Sequence, residues 1–491
     1  MRAHDTRQRA GRAAESVTLT DARTAAAPLQ TAAATAPSLS AASAVGPAAA
    51  AAASAASASA SRSDLNAALV KALVEQFQRE SLPWIQDLVE PLLAGPPQPL
   101  TGTSPPEQLA DPDSRFATVS GLRLHYKLRQ PGEWADASAP ERVGWRWAEL
   151  QREAAEGAPT LLLLHGLNGS TFSWRLLMDD LAAYVSPLTG GCRVVAYDRP
   201  PYGLSQRPLG WPREQDNPYG LEGAARLTVG LLDEVTRGSR AGAGPATAAA
   251  GGGAEAAGGR GGGAAPAAAA AAGGGGGSGQ AANPSRAVLV GHSAGAAVAV
   301  ETALRYPDRV SGLVLVAPAI ATDSRGFLAR ADLGQLLRFA WTRSLLSADG
   351  PGLNYVRRQV LRRVSEVEAG RLGVYSDERE VPQEVIDGYL RPLRAHDWDY
   401  GTLQAYRSFQ VGGSPPPLER LRMPVLVVAG RQDGAVPLEA VQRVEAALRR
   451  RSGPGCVTES VVLDPCGHVP MDERPLETLQ AIVDFVNRHC L

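Results

Sequence analysis

Ser293 lies in Gly291-His292-Ser293-Ala294-Gly295, after the apolar run Ala287-Val288-Leu289-Val290 and before an Ala/Val-rich segment of helical character. Strand, G-x-S-x-G, helix is the layout of a nucleophile elbow: two glycines leave room for a sharp, strained turn from which the serine hydroxyl projects. A serine hydroxyl is a poor nucleophile at neutral pH and needs a base. Of the seven histidines, His4 and His489 lie near the chain ends, His125 in an expected hairpin, His165 in a glycine-containing loop and His396 among expected helices. His292 precedes Ser293, so its side chain is expected to leave the turn in another direction. That leaves His468, straight after the last expected strand. A carboxylate must hold the imidazole in one tautomer. Asp433, after the preceding strand, is the first candidate, Asp323 the second and Asp464 the third. The strand Thr160–Leu164 breaks into His165-Gly166-Leu167-Asn168-Gly169, whose unpaired amides supply the second half of an oxyanion hole. The first half is the amide after the nucleophile.

Several elements must hold these residues. Phe116–Arg129 alternates around Ser120-Gly121 and predicts a β-hairpin. Apolar strands are expected at Thr160–Leu164, Cys192–Tyr197, Ala287–Val290, Leu313–Pro318, Met423–Gly430 and Val457–Leu463. Helices are expected at Thr171–Ala183, Tyr219–Val235, Pro437–Arg450 and Pro475–His489. Such alternation means a mostly parallel sheet covered by helices on both faces. Helical stretches over Leu333–Leu345, Asn354–Gly370 and Pro382–Leu390, rich in aromatics, predict a helical cap inserted before the strand that precedes the acid.

The 491 residues divide by composition. Residues 1–62 form an Ala/Ser/Arg-rich leader, expected to be disordered and to act as a plastid transit peptide. Residues 63–112 give a helix from about Ser63 to Phe77 and a Pro-rich linker. The core spans 113–237, 285–319 and 421–491. It is interrupted by an Ala/Gly insert at 238–284, which feeds the amino end of the Ser293 strand, and by the cap at 320–420. The roles of Trp134, Trp145 and Trp147 are left unassigned. The net charge of −1 with no basic cluster in the core disfavours a nucleic-acid partner. A small-molecule substrate is expected instead, with peripheral membrane contact through residues 64–94 as a secondary expectation. Scattered Cys192, Cys456, Cys466 and Cys490 argue against zinc or disulfides and suit a reducing compartment. Neither metal nor cofactor is expected, and Cys466, two residues before His468, suggests thiol sensitivity.

From Thr160 to the C-terminus, the insert aside, the chain resembles the α/β-hydrolase fold superfamily in its capped serine-hydrolase branch. The motifs that carry the resemblance are HGLNGS, YDRPPYGLSQRP, GHSAGA, GRQDGAVP and GHVPMDERP. NPYGLEG, GHSAGA and LVLVAPAI are also similar to a little-characterised group of plant and algal plastid hydrolases. The resemblance implies Ser293 as nucleophile, Asp433 as orienter and His468 as base, in the family's chain order. It also implies the Leu167 and Ala294 amides as the oxyanion hole. The insert and Pro201 depart from the family pattern. Serine at the elbow argues against dehalogenases and epoxide hydrolases, whose nucleophile is a carboxylate. The expected function is hydrolysis of an ester, or related acyl bond, of a small apolar substrate. The alternatives are a carbon–carbon hydrolase, an acyltransferase and a non-catalytic small-ligand receptor. Acyltransferase relatives tend to carry an aspartate five residues after the histidine, and Asp472 stands one residue early.

Overall fold

In the computed structural model, residues 91–92, 94–100, 102–130, 158–186, 191–240, 285–321, 333–368, 375–376, 381–408 and 415–491 are described. The leader, the helix expected from Ser63, nearly all of the expected membrane contact, the three loop tryptophans, residues 241–284 of the insert and Asp323 lie outside them. Among the described residues eight strands form one sheet in the order β1-β2-β4-β3-β5-β6-β7-β8. They are β1 (Ser114–Val119), β2 (Leu122–Arg129), β3 (Thr160–Leu164), β4 (Arg193–Tyr197), β5 (Ala287–His292), β6 (Val310–Val316), β7 (Val425–Gly430) and β8 (Thr458–Leu463). The α-helices are α1 (Met178–Tyr184), α2 (Leu221–Arg240), α3 (Ala294–Arg305), α4 (Leu333–Ser347) and α5 (Asp349–Glu368). They continue with α6 (Gln383–Leu390), α7 (Trp398–Ser408), α8 (Leu438–Arg449), α9 (Pro470–Glu473) and α10 (Pro475–His489).

β1 and β2 are the expected hairpin, turning through Ser120 and Gly121, both at positive φ. β2 pairs antiparallel with β4, and every pairing from β4 to β8 is parallel. β3, β4, β5 and β7 are buried at every position, which is why they read as unbroken apolar runs. Successive side chains serve opposite layers. Leu162 and Leu164 belong to one buried cluster with Leu231 of α2, Ala299 of α3 and Val444 of α8. Leu161 and Leu163 pack with Leu181 of α1 and Ile482 and Phe485 of α10.

The helix expected over Thr171–Ala183 is broken in two. A 3₁₀ turn, Thr171–Trp174, precedes α1. Ser170 Oγ caps that turn by accepting the Phe172 amide at 3.2 Å, and the Thr171 amide is drawn to the Asp198 carboxylate at 2.6 Å. Between β6 and β7 stand α4 to α7. The first three answer to the expected stretches. α7 does not, because its aspartate and tyrosines interrupt the apolar period; burial of Trp398 and Leu403 and the Arg357–Asp399 bond at 2.7 Å hold it instead. These helices meet the loops at the carboxyl ends of the strands. Phe172 meets Tyr389 edge-on at 5.2 Å, and Gly401 lies against Pro201, where a Cβ would come within 2.8 Å.

The insert leaves α2 and enters at the amino end of β5, while Ser293 follows its carboxyl end, roughly 20 Å of extended chain away. Thr236 of α2 and Ser285 before β5 are hydrogen-bonded at 3.0 Å, so a short connection can join the two elements. Replacing residues 241–284 by a Gly/Ser linker of about 11 residues halves the length twice, worth only about 1.2 kcal/mol in loop closure. The Tm is therefore expected to stay within about 4 °C of the parent in thermal unfolding. A fall of about 10 °C would show that the fold depends on those residues.

Candidate active site

Ser293 sits between β5 and α3 with φ 52° and ψ −119°, a conformation that L-residues rarely adopt. Its neighbours must be small. A Cβ on Gly291 would lie 2.6 Å from the Ala296 Cα, and one on Gly295 would lie 2.2 Å from the Leu164 carbonyl oxygen. The turn is pinned from both sides of its peptide: the Ser293 amide donates to the Val316 carbonyl at 2.9 Å, and its own carbonyl accepts from the Ala296 and Ala319 amides.

The residues expected from three separate strand ends come together. Ser293 Oγ is 3.0 Å from His468 Nε2, and His468 Nδ1 is 2.8 Å from Asp433 Oδ2. The other oxygen of Asp433 accepts the Ala435 and Val436 amides, both at 2.8 Å. An ionised carboxylate only accepts, so His468 carries its proton on Nδ1 and offers the bare Nε2 to the serine hydroxyl. All three residues are at least nine-tenths buried. Asp464 faces outward to Arg431 and Gln432 instead.

The loop after β3 lies against this serine. A Cβ on Gly166 would be 3.0 Å from Ser293 Cβ and 2.9 Å from His292 Nδ1, so only glycine allows the approach. The amides of Leu167 and Ala294 donate to no protein acceptor among the described residues, and the Leu167 side chain is 59% exposed. Two residues that the sequence did not single out for this purpose orient the Leu167 peptide. The Arg199 amide donates to His165 Nε2 at 2.9 Å, which leaves the ring proton on Nδ1, donating to the Gly166 carbonyl at 2.7 Å. The Arg199 guanidinium also donates to the His165 carbonyl at 3.0 Å. In a trans peptide an anchored Gly166 C=O sends the Leu167 N–H the opposite way.

His292 is directed to the loop of His468 and not to the Ser293 hydroxyl. Its Nε2 donates to the His468 carbonyl at 2.8 Å, and the two rings lie 4.9 Å apart. Burial first, and then the His468 ring, push its pKa down to about 3; burial and Arg199 do the same to His165. Both rings are neutral supports. The surroundings of Cys466 weigh against the expected thiol sensitivity. The residue is buried, and its thiol is pushed up to about 12, chiefly by burial and then by Glu473, so it offers little of the thiolate that oxidants attack.

A second chain of the same residue types runs through His125. Its Nδ1 is 2.6 Å from Asp198 and its Nε2 2.8 Å from Ser114 Oγ. Ser114 opens β1 and accepts the Asp111 amide at 2.9 Å; this chain fastens the hairpin to the sheet. Among the described residues no three His, Cys, Asp or Glu side chains group as a metal site, and no helix is long and apolar enough to cross a membrane.

Residues 161–481 match the sequence model of the alpha/beta hydrolase family. Similar proteins include the uncharacterized hydrolase YugF of Bacillus subtilis, 24% identical over 67% of this chain and 90% of its own. The magnesium-chelatase 30 kDa subunit of Rhodobacter capsulatus is 25% identical over 70% of this chain and 96% of its own. The pimeloyl-[acyl-carrier protein] methyl ester esterase of Serratia marcescens is 27% identical over 43% of this chain and 73% of its own.

The two neutral histidines make stability pH-dependent. Their folded pKa values lie below the unfolded value near 6.5, so the unfolded chain binds more protons as pH falls below it. Their contribution is whole above about pH 6.5 and is lost progressively toward about pH 3. Thermal unfolding at pH 7 and pH 4.5 should show a loss of Tm that is smaller by a few degrees in His292→Gln. Parallel losses would mean that His292 takes up its proton in the folded state.

Proposed function

The chain belongs to the alpha/beta hydrolase family and is a hydrolase, and we propose that it cleaves an ester, or related acyl bond, of a small apolar substrate through an acyl-enzyme on Ser293. One observation carries this reading: the continuous hydrogen-bonded chain Ser293 Oγ, His468, Asp433, with the serine held in a strained turn. Ser293 Oγ attacks the acyl carbonyl carbon while His468 Nε2 takes its proton, and Asp433 stabilises the imidazolium. The Leu167 and Ala294 amides receive the oxyanion; one such donor is worth roughly 3–4 kcal/mol in an acyl-transfer transition state. Collapse breaks the bond to the leaving alcohol, which departs with the proton from His468. Water, deprotonated by the same nitrogen, then adds to the acyl carbonyl and releases the acid and the free serine.

The comparison with the methyl ester esterase supports the ester reading. Asp472 supports hydrolysis over acyl transfer, since its carboxylate is engaged by Arg175, Tyr375 and Tyr389. A plastid location is a separate proposal resting on the composition of residues 1–62, and import of those residues, fused to a fluorescent protein, into isolated chloroplasts tests it.

A fluorophosphonate probe should label the wild type and leave Ser293→Ala and His468→Ala unlabelled. On 4-nitrophenyl esters of graded chain length, kcat should fall by about 10⁴–10⁶ in those variants and by about 10⁴ in Asp433→Asn. A well-folded wild type that neither labels nor turns over any ester would overturn the proposal in favour of a ligand receptor.

A further inference from the structure

The turn that follows His468 carries two acidic residues that face in opposite directions. Glu473 reaches back along the chain. Its carboxylate accepts the Gly467 amide at 3.0 and 2.9 Å and the Val469 amide at 3.3 Å, the two amides on either side of His468. Its Oε2 also accepts the Ser376 amide of the cap at 2.7 Å. Asp472 points the other way, with its side chain only 2% exposed. It accepts the Tyr375 and Tyr389 hydroxyls of the cap at 2.9 and 2.7 Å, and the Arg175 guanidinium at 2.8 Å. Arg175 in turn lies over the Phe172 ring at 4.2 Å, and Phe172 packs edge-on against Tyr389. Three cap groups therefore converge on two adjacent carboxylates, and one of these carboxylates brackets the histidine.

We propose that Glu473 is a positioning residue for His468, and that the seated cap completes its alignment through Ser376, Tyr375 and Tyr389. This rests on the reading of His468 as the base. Bonds from neutral amides to a carboxylate are stronger than ordinary amide–carbonyl bonds, so Glu473 fixes the backbone on both sides of the imidazole more firmly than a carbonyl acceptor could. Lifting the cap away would remove two of the three side-chain donors from a buried carboxylate. It would also take the Ser376 amide from Oε2 of Glu473 and leave that oxygen only its share of the Gly467 amide, loosening the turn that carries the base. A merely structural latch would alter stability without touching the rate. A positioning device alters the rate at which Ser293 is activated, while substrate affinity stays as it was.

Two variants separate these cases. Glu473→Gln keeps one acceptor oxygen but turns an NH₂ toward the remaining donors. Tyr375→Phe/Tyr389→Phe removes the cap's hydroxyl donors to Asp472 and leaves the histidine loop intact. Well below their Tm, Glu473→Gln should lose at least tenfold in kcat and in the rate of fluorophosphonate labelling, with KM within twofold of the wild type. The double tyrosine variant should lose about threefold in both, again at constant KM. Wild-type kcat and labelling rate in folded Glu473→Gln would overturn the proposal. Should that variant fail to fold, wild-type rates in the tyrosine variant would overturn it alone. Failure of the underlying reading is a different result, since the wild type itself would then not label.

Discussion

Loops leaving the carboxyl ends of parallel strands carry amides that no sheet ladder can use, and a buried amide without an acceptor costs about 1–3 kcal/mol. Carboxylates meet that constraint here. Asp198, after β4, accepts the Thr171 and Leu204 amides and the His125 ring. Burial alone would raise its pKa, but the His125 ring and the Leu204 amide, among others, outweigh burial and lower it. Asp433, after β7, accepts two amides and His468. Glu473, after β8, accepts the amides around that histidine. At the rim of the sheet the loops after β3, β4, β7 and β8 are thus closed on carboxylates, while the Ser293 turn is held by backbone carbonyls between them.

The two Ser-His-Asp chains show what hydrogen bonding alone does not supply. Ser114-His125-Asp198 and Ser293-His468-Asp433 have similar distances and the same order of atoms, Nε2 toward the serine and Nδ1 toward the aspartate. Ser114, however, begins a regular strand and spends an acceptor site on the Asp111 amide. Ser293 stands on a turn, beside a glycine backbone and two amides with no protein acceptor among the described residues. What separates a clamp from a candidate nucleophile is the backbone around the serine.

Much of this was legible in the residues. β3, β4, β5, β6 and β7 declare themselves because burial on both faces demands apolar runs, and Ser293 and Asp433 are legible because each follows such a run, while His468 follows the half-exposed edge strand β8 and is reached by elimination among the histidines. The hairpin was written in Ser120-Gly121. The supports of the site were not. His165 and Arg199 acquire their roles only when β3 and β4 lie side by side, and His292 only when β8 delivers His468. Asp472 reads in the sequence as an aspartate one residue out of place, while its partners Tyr375 and Tyr389 come from about 80 to 100 residues earlier. α7 and the break after Trp174 were hidden for the same reason. Local pattern carries the elements, and tertiary partners decide where they bend.

The positive φ of Ser293 has a consequence for the chain as a whole. A residue with a Cβ held in that region costs of order 1–3 kcal/mol, a penalty that glycine escapes. The fold itself therefore has no preference for serine at this position and is better served without a side chain. Stability and reactivity pull in opposite directions at this single residue, so a chain relieved of its chemistry would drift toward a sturdier and silent form.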